Sequence, residues 1–98
     1  MIKLNTAKGN GKVKANFVLP LSETPEPVSV VGDFNRWDAL AHPLKKRANG
    51  TRSATVELDP GNRYSFKYLS DGGTWFNEPE AHRHDVNEFG ETNSVIET

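Results

Sequence analysis

Apolar and polar residues alternate in three stretches of this chain with the period of two that a half-buried strand imposes. Over 12–19 the positions Val13, Ala15, Phe17 and Leu19 share one face, and Pro20 ends the run. Over 51–58, Ala54, Val56 and Leu58 share a face behind an Asn49-Gly50 turn. Over 63–69, Tyr64, Phe66 and Tyr68 lie on one side and Ser65, Lys67 and Leu69 on the other, so Lys67 points away from the aromatic face. Val28-Ser29-Val30-Val31 is β-branched and apolar enough for an inner strand.

Weaker signals complete the pattern. Ile2 and Leu4 form a short strand that ends at Gly9-Asn10-Gly11, a turn or bulge, and Asp59-Pro60-Gly61-Asn62 has the residues of a tight turn. Asp71-Gly72-Gly73 leads into a short strand over 74–77, and 93–97 closes the fold. Residues 35–43 lack a clean period and read as a long loop, from which Leu40 and Leu44 drop into the core on a short helical turn; 78–91 reads as a polar loop. About seven short strands without a helical period predict an all-β fold, an antiparallel β-sandwich of immunoglobulin-like type forming a single domain over 1–98.

Composition narrows the function classes. No uninterrupted apolar run exceeds three residues, whereas a membrane helix needs about 20. Residues 1–5 have neither the apolar core nor the cleavage site of a signal peptide, so the expectation is a cytoplasmic protein without a membrane partner. A chain of 98 residues buries roughly two-thirds of its unfolded surface, enough for one core but not for a cleft between two lobes. The absence of cysteine excludes disulfides, thiolate metal sites and cysteine nucleophiles. A net charge of -1 lacks the basic excess that nucleic acid selects. Residues 1–49 sum to +4 and 50–98 to -5, an asymmetry that interleaved strands are expected to disperse.

Candidate chemistry centres on Trp37 and Trp75, which each follow a turn and lie off the inward faces of the clear strands. One reading has them plug the end of the sandwich. The other makes them a platform for sugar, since an indole and the C–H face of a pyranose both leave water when stacked, while ring hydroxyls need polar partners at the edge. Lys67 offers a donor and Asn93 both donor and acceptor. The segment His82-Arg83-His84-Asp85 is the one cluster suggestive of metal, but further convergent ligands are lacking and Arg83 opposes a cation, so neither a metal nor another cofactor is expected. The carboxylates Glu78, Glu80, Glu88 and Glu91 lie in polar segments where solvation is the ordinary role, so no catalytic residues are assigned.

Four motifs in order carry a resemblance: Val30-Val31-Gly32-Asp33-Phe34-Asn35-Arg36-Trp37, then Leu58-Asp59-Pro60-Gly61 leading to Tyr64-Ser65-Phe66-Lys67-Tyr68, then Asp71-Gly72-Gly73-Thr74-Trp75, and Gly90-Glu91-Thr92-Asn93-Ser94-Val95. Together they resemble family-48 carbohydrate-binding modules, the early-set domains found before the catalytic barrel of debranching and branching enzymes and in the β subunit of the AMP-activated protein kinase. The likeness spans about 12–97, and the compact form beginning at Met1 is similar to short stand-alone bacterial members. It implies a glucan surface built from Trp37, Trp75, Lys67 and Asn93. Phe89 stands where the kinase module projects a leucine over the glucan, Glu91 replaces a sugar-contacting threonine, and the Asp-Gly turn before Trp75 has one extra residue. The implied function is non-catalytic binding of an α-1,4-glucan or maltooligosaccharide by a monomer. The rival is a protein-interaction adaptor whose aromatic surface docks a glucan-metabolising enzyme.

Overall fold

In the computed structural model, which describes residues 2–6, 11–24 and 26–98, the alternating stretches become the central strands of two packed antiparallel sheets. The first sheet has the order β1-β2-β5-β4, built from Ile2–Thr6, Val13–Pro20, Thr51–Leu58 and Lys45–Lys46. The second has the order β3-β6-β9-β8, from Val28–Gly32, Arg63–Ser70, Thr92–Glu97 and Arg83–Val86. A two-residue strand, β7 (Trp75–Phe76), pairs with β6. Gly9 and Asn10, expected to form a turn, lie outside the described residues; Gly11 has the left-handed φ of 68° that glycine favours.

The core lies between the sheets and is made by the residues the alternation placed inward. Ala15, Phe17 and Leu19 of β2 and Ala54, Val56 and Leu58 of β5 meet Val28, Val30, Phe66, Tyr68 and Ile96 from the other side. Phe17, Phe66 and Tyr68 form an edge-to-face cluster, with centroid separations of 5.1, 5.9 and 6.5 Å. Such contacts add about 0.5–1.5 kcal/mol each beyond the area they bury, so these rings lock the two sheets together at their centre.

The structure corrects four expectations. Leu44 is buried but Leu40 is 88% exposed. Residues 42–44 instead run beside the outer edge of β3, with Val30 N donating to His42 O at 3.0 Å and Leu44 N to Val28 O at 2.8 Å, so backbone pairing positions the segment without Leu40. The polar stretch 78–91 contains the strand β8, an edge strand that needs ladder partners on β9 more than an apolar face. Glu78 is 1% exposed: Oε1 accepts from Tyr68 Oη at 2.9 Å, and Oε2 from Glu80 N at 3.0 Å. Finally, basic residues gather on the first sheet. Strands of the first sheet carry Lys3, Lys14, Lys45, Lys46 and Arg52 against Glu57 alone, because that sheet is drawn entirely from the first 58 residues.

Burial, followed by the adjacent Glu78 carboxylate, pushes the Tyr68 hydroxyl well above the ordinary tyrosine range. The unfolded chain releases this proton above about pH 10 while the folded chain keeps it, so the unfolded state binds fewer protons there. The resulting stability is present in full below about pH 10 and falls above it, by up to ~1.4 kcal/mol per pH unit. Urea unfolding from pH 8 to 11 is expected to show this decline in the native protein and a shallower one in Tyr68→Phe; equal slopes would assign the decline to other groups.

Candidate functional site

One end of the second sheet is shaped by the segment that leaves β3. At Gly32 the backbone lies so close to β6 that a Cβ would fall 2.5 Å from Ser65 O and 2.7 Å from Phe66 Cβ, so any larger residue must displace the strand. The chain then enters a short 3-10 turn, Asp33–Asn35. Phe34 turns inward against Phe17, with ring centroids 5.7 Å apart. Asn35 ties the turn back: its Oδ1 accepts from Gly32 N at 3.0 Å and its Nδ2 donates to Val30 O at 3.1 Å and to His42 Nδ1 at 3.0 Å.

Arg36 and Trp37 follow, both with φ of 57°, a left-handed conformation that costs a non-glycine residue about 1–2 kcal/mol. Two groups hold Trp37 against that strain. Its backbone N donates to Gly32 O at 2.9 Å. Its indole Nε1 donates to Asp33 Oδ1 at 2.9 Å, while Oδ2 of the same carboxylate accepts from Ser65 N, also at 2.9 Å. Asp33 therefore ties the ring to β6 rather than to a free loop.

Trp75 is placed by the sheet itself. β3 pairs with β6 at Tyr68 and Leu69, so β7, pairing with the same two residues, takes the opposite side of β6. That side belongs to β9 only as far as Phe66, and Lys67 stands at the step between β9 and β7. Trp75 faces Leu69 and thus shares the outer side of β6 with Lys67, while Phe76 faces Tyr68 and packs inward, 5.3 Å between centroids. Asn77 clips β7 to β9: Nδ2 donates to Thr92 O at 2.9 Å, and Oδ1 accepts from Ser94 Oγ at 2.9 Å. The extra residue before Trp75 is taken up in a turn where Gly73, at φ 86°, donates to Ser70 O at 2.9 Å, and the indole still emerges on the outer face.

These elements converge on one shallow depression of about 460 Å³ lined by Trp37, Lys67, Trp75, Asn87, Glu91 and Asn93. The indole residues are 38% and 47% exposed, so they neither plug the sandwich nor stand fully in water. Five of the six residues singled out from sequence line this depression. Phe89 does not; it projects from the tip of the β8–β9 turn, 81% exposed. Lys67 Nζ lies 3.8 Å from Glu91 Oε2, beyond hydrogen-bond reach, so the pair balances charge while leaving each group's polar atoms to a ligand.

Two contributors escaped the sequence reading. Asp33 is a support beneath the surface rather than a contact on it. Asn87 lines the depression and builds the β8–β9 turn, its Oδ1 accepting from Phe89 N at 2.9 Å and Glu91 N at 3.0 Å. An Asn three residues before Gly90 is the turn signal that marks it. His82 and His84 are engaged structurally: Nδ1 of His82 accepts from Glu97 N at 2.9 Å, and Nε2 of His84 lies 2.7 Å from Glu78 O. Among the described residues no three His, Asp or Glu side chains converge as a metal site, and no helix is long and apolar enough to cross a membrane.

Carbohydrate-binding module 48 (isoamylase N-terminal domain) matches residues 7–85. The 1,4-alpha-glucan branching enzyme of Deinococcus radiodurans is 47% identical over 47 residues, covering 47% of this chain and 7% of that enzyme. The branching enzyme of Nitrobacter winogradskyi is 38% identical over 61 residues, covering 61% and 8%, and that of Photobacterium profundum 30% over 74 residues, covering 74% and 10%. The chain thus spans a tenth or less of the length of these relatives.

Removing the carboxylate that joins the first indole to β6 tests how the site is held. Asp33→Ala is expected to lower stability by about 1 kcal/mol in urea unfolding and to speed hydrogen exchange of the Trp37 indole N–H, leaving that of Trp75 unchanged. Unaltered exchange at Trp37 would mean that the rest of the turn holds the ring without Asp33.

Proposed function

This chain belongs to the carbohydrate-binding module 48 family, and from that membership we propose that it is a non-catalytic module for α-1,4-glucans such as glycogen, starch or maltooligosaccharides. The observation that carries the reading is the convergence of two half-exposed indoles, an ammonium and a carboxamide on one depression. Glucose units stack their C–H faces on Trp37 and Trp75. Lys67 and Asn93 bond neighbouring ring hydroxyls and fix register, and Asn87 adds a second carboxamide at the rim. Phe89, on the adjoining turn, closes over the chain from above.

Two indoles set on different elements, one on a turn and one on a strand, suit the curvature of an α-1,4 chain. The depression offers a single carboxylate, Glu91, where glycoside hydrolysis uses a pair flanking the scissile bond, so the role is binding without turnover. Branching enzymes among the relatives make glucan the natural ligand class. Stacking contributes about 1 kcal/mol per ring and each net hydrogen bond about 1 kcal/mol. After ordering costs, affinity falls on the order of 10 μM to 1 mM, a range in which a multivalent polymer gains from avidity.

Tryptophan fluorescence titrated with maltoheptaose tests the reading. Saturable quenching is expected in the native protein, with at least tenfold weaker binding in both Trp37→Ala and Trp75→Ala and little loss of stability, since neither ring lies in the core. No response at millimolar sugar would overturn the proposal and favour the surface as a docking face for another protein.

A further inference from the structure

We propose that Glu91 determines ionic specificity at this site, neutralising Lys67 so that the depression accepts uncharged glucan and discriminates against chains bearing phosphate monoesters. This rests on the glucan reading of the same depression and adds the class of ligand that it refuses.

Along the outer side of the second sheet, Arg63 pairs with Glu97 at 3.2 Å, Arg83 with Asp85 at 3.0 Å and Lys67 with Glu91 at 3.8 Å. Only the third pair lines the depression, which therefore holds one cation and one anion. Lys67 is fixed in position: it sits in a central strand and its side chain is 14% exposed. Glu91 is 69% exposed but anchored through its backbone, its N–H bonded to Asn87 Oδ1 at 3.0 Å and its carbonyl to Asn87 N at 2.8 Å. The β8–β9 turn thus fixes the backbone from which the carboxylate reaches to 3.8 Å of the ammonium, without being hydrogen-bonded to it.

For a neutral polyol the pair is nearly indifferent, because hydroxyls bond to either partner and carry no net charge. A phosphate monoester, with a charge of about -1.5 to -2 near neutral pH, is drawn by Lys67 and repelled by Glu91 across similar distances. The attraction is cancelled, and the cost of desolvating the anion remains. With the carboxylate removed, Lys67 becomes an uncompensated cation on the floor of the depression, the arrangement that captures phosphate.

The test compares maltoheptaose with maltoheptaose carrying one phosphate monoester, by calorimetry at low ionic strength. The native protein is expected to bind the neutral chain more tightly. In Glu91→Gln, which keeps the shape of the side chain, the ratio of affinity for the phosphorylated chain to affinity for the neutral chain is expected to rise at least fivefold, as loss of one repulsive charge near 4 Å implies. Glu91→Lys is expected to invert the preference, and both gains are expected to shrink as salt is raised. Equal affinities of the native protein for the two chains, or a Glu91→Gln variant whose preference for the neutral chain is unchanged, would overturn the specificity role while leaving glucan binding intact. Failure of the native protein to bind maltoheptaose at all would overturn both.

Discussion

The site depends on the approach of the Gly32 backbone to β6, too close to the Ser65 carbonyl oxygen and Phe66 Cβ to leave room for a Cβ. Because the chain leaves β3 at that distance, the next residue's carboxylate reaches a main-chain N–H of β6 and the indole N–H of Trp37 at once. The two left-handed residues that follow cost about 2–4 kcal/mol together. Against them stand two hydrogen bonds to Asp33, three from Asn35 and one from the Trp37 backbone, each worth about 1 kcal/mol net. The bonds outweigh the strain, and the first indole is presented in one orientation.

The second indole reaches the same depression by a different route. Trp75 needs no strained turn, because pairing with Leu69 sets its face and Asn77 sets its depth relative to β9. Lys67 lies between the two supports, at the point where β9 gives way to β7 along β6. A surface assembled this way has little left to order when a ligand arrives, which lowers the entropic cost of binding. It is also shallow and open to water, and that limits what each contact contributes. Both properties suit the proposed binding of a polymer through weak, repeated contacts.

The parts of this arrangement that alternate in sequence were legible there, since inward Phe66 and Tyr68 force Lys67 outward. The Gly-Asp-Phe-Asn-x-Trp motif pointed to Trp37 but not to the task of Asp33, whose role appears only when Ser65, 32 residues later, is seen beside it. β8 was hidden because Arg83-His84-Asp85-Val86 has no apolar alternation; an edge strand is held by its backbone ladder, which composition does not record. Glu78 read as solvated because charge in a polar stretch ordinarily is. Its burial depends on Tyr68 and the Glu80 N–H meeting it in space, a convergence of partners ten and two residues away. Leu40 shows the reverse error: an apolar residue left in water because its segment is fixed by main-chain bonds on either side of it.

The central claim is that ligand sits on the outer side of the second sheet, between the two indoles. Nuclear magnetic resonance of the labelled protein with maltoheptaose added to several millimolar measures this most directly, by mapping which amide and indole N–H signals move. Shifts confined to both indole N–H groups and the amides around Lys67, Glu91 and Asn93, with β1, β2 and β5 silent, are the predicted result. Shifts centred on the first sheet, or at one indole without the other, would contradict it.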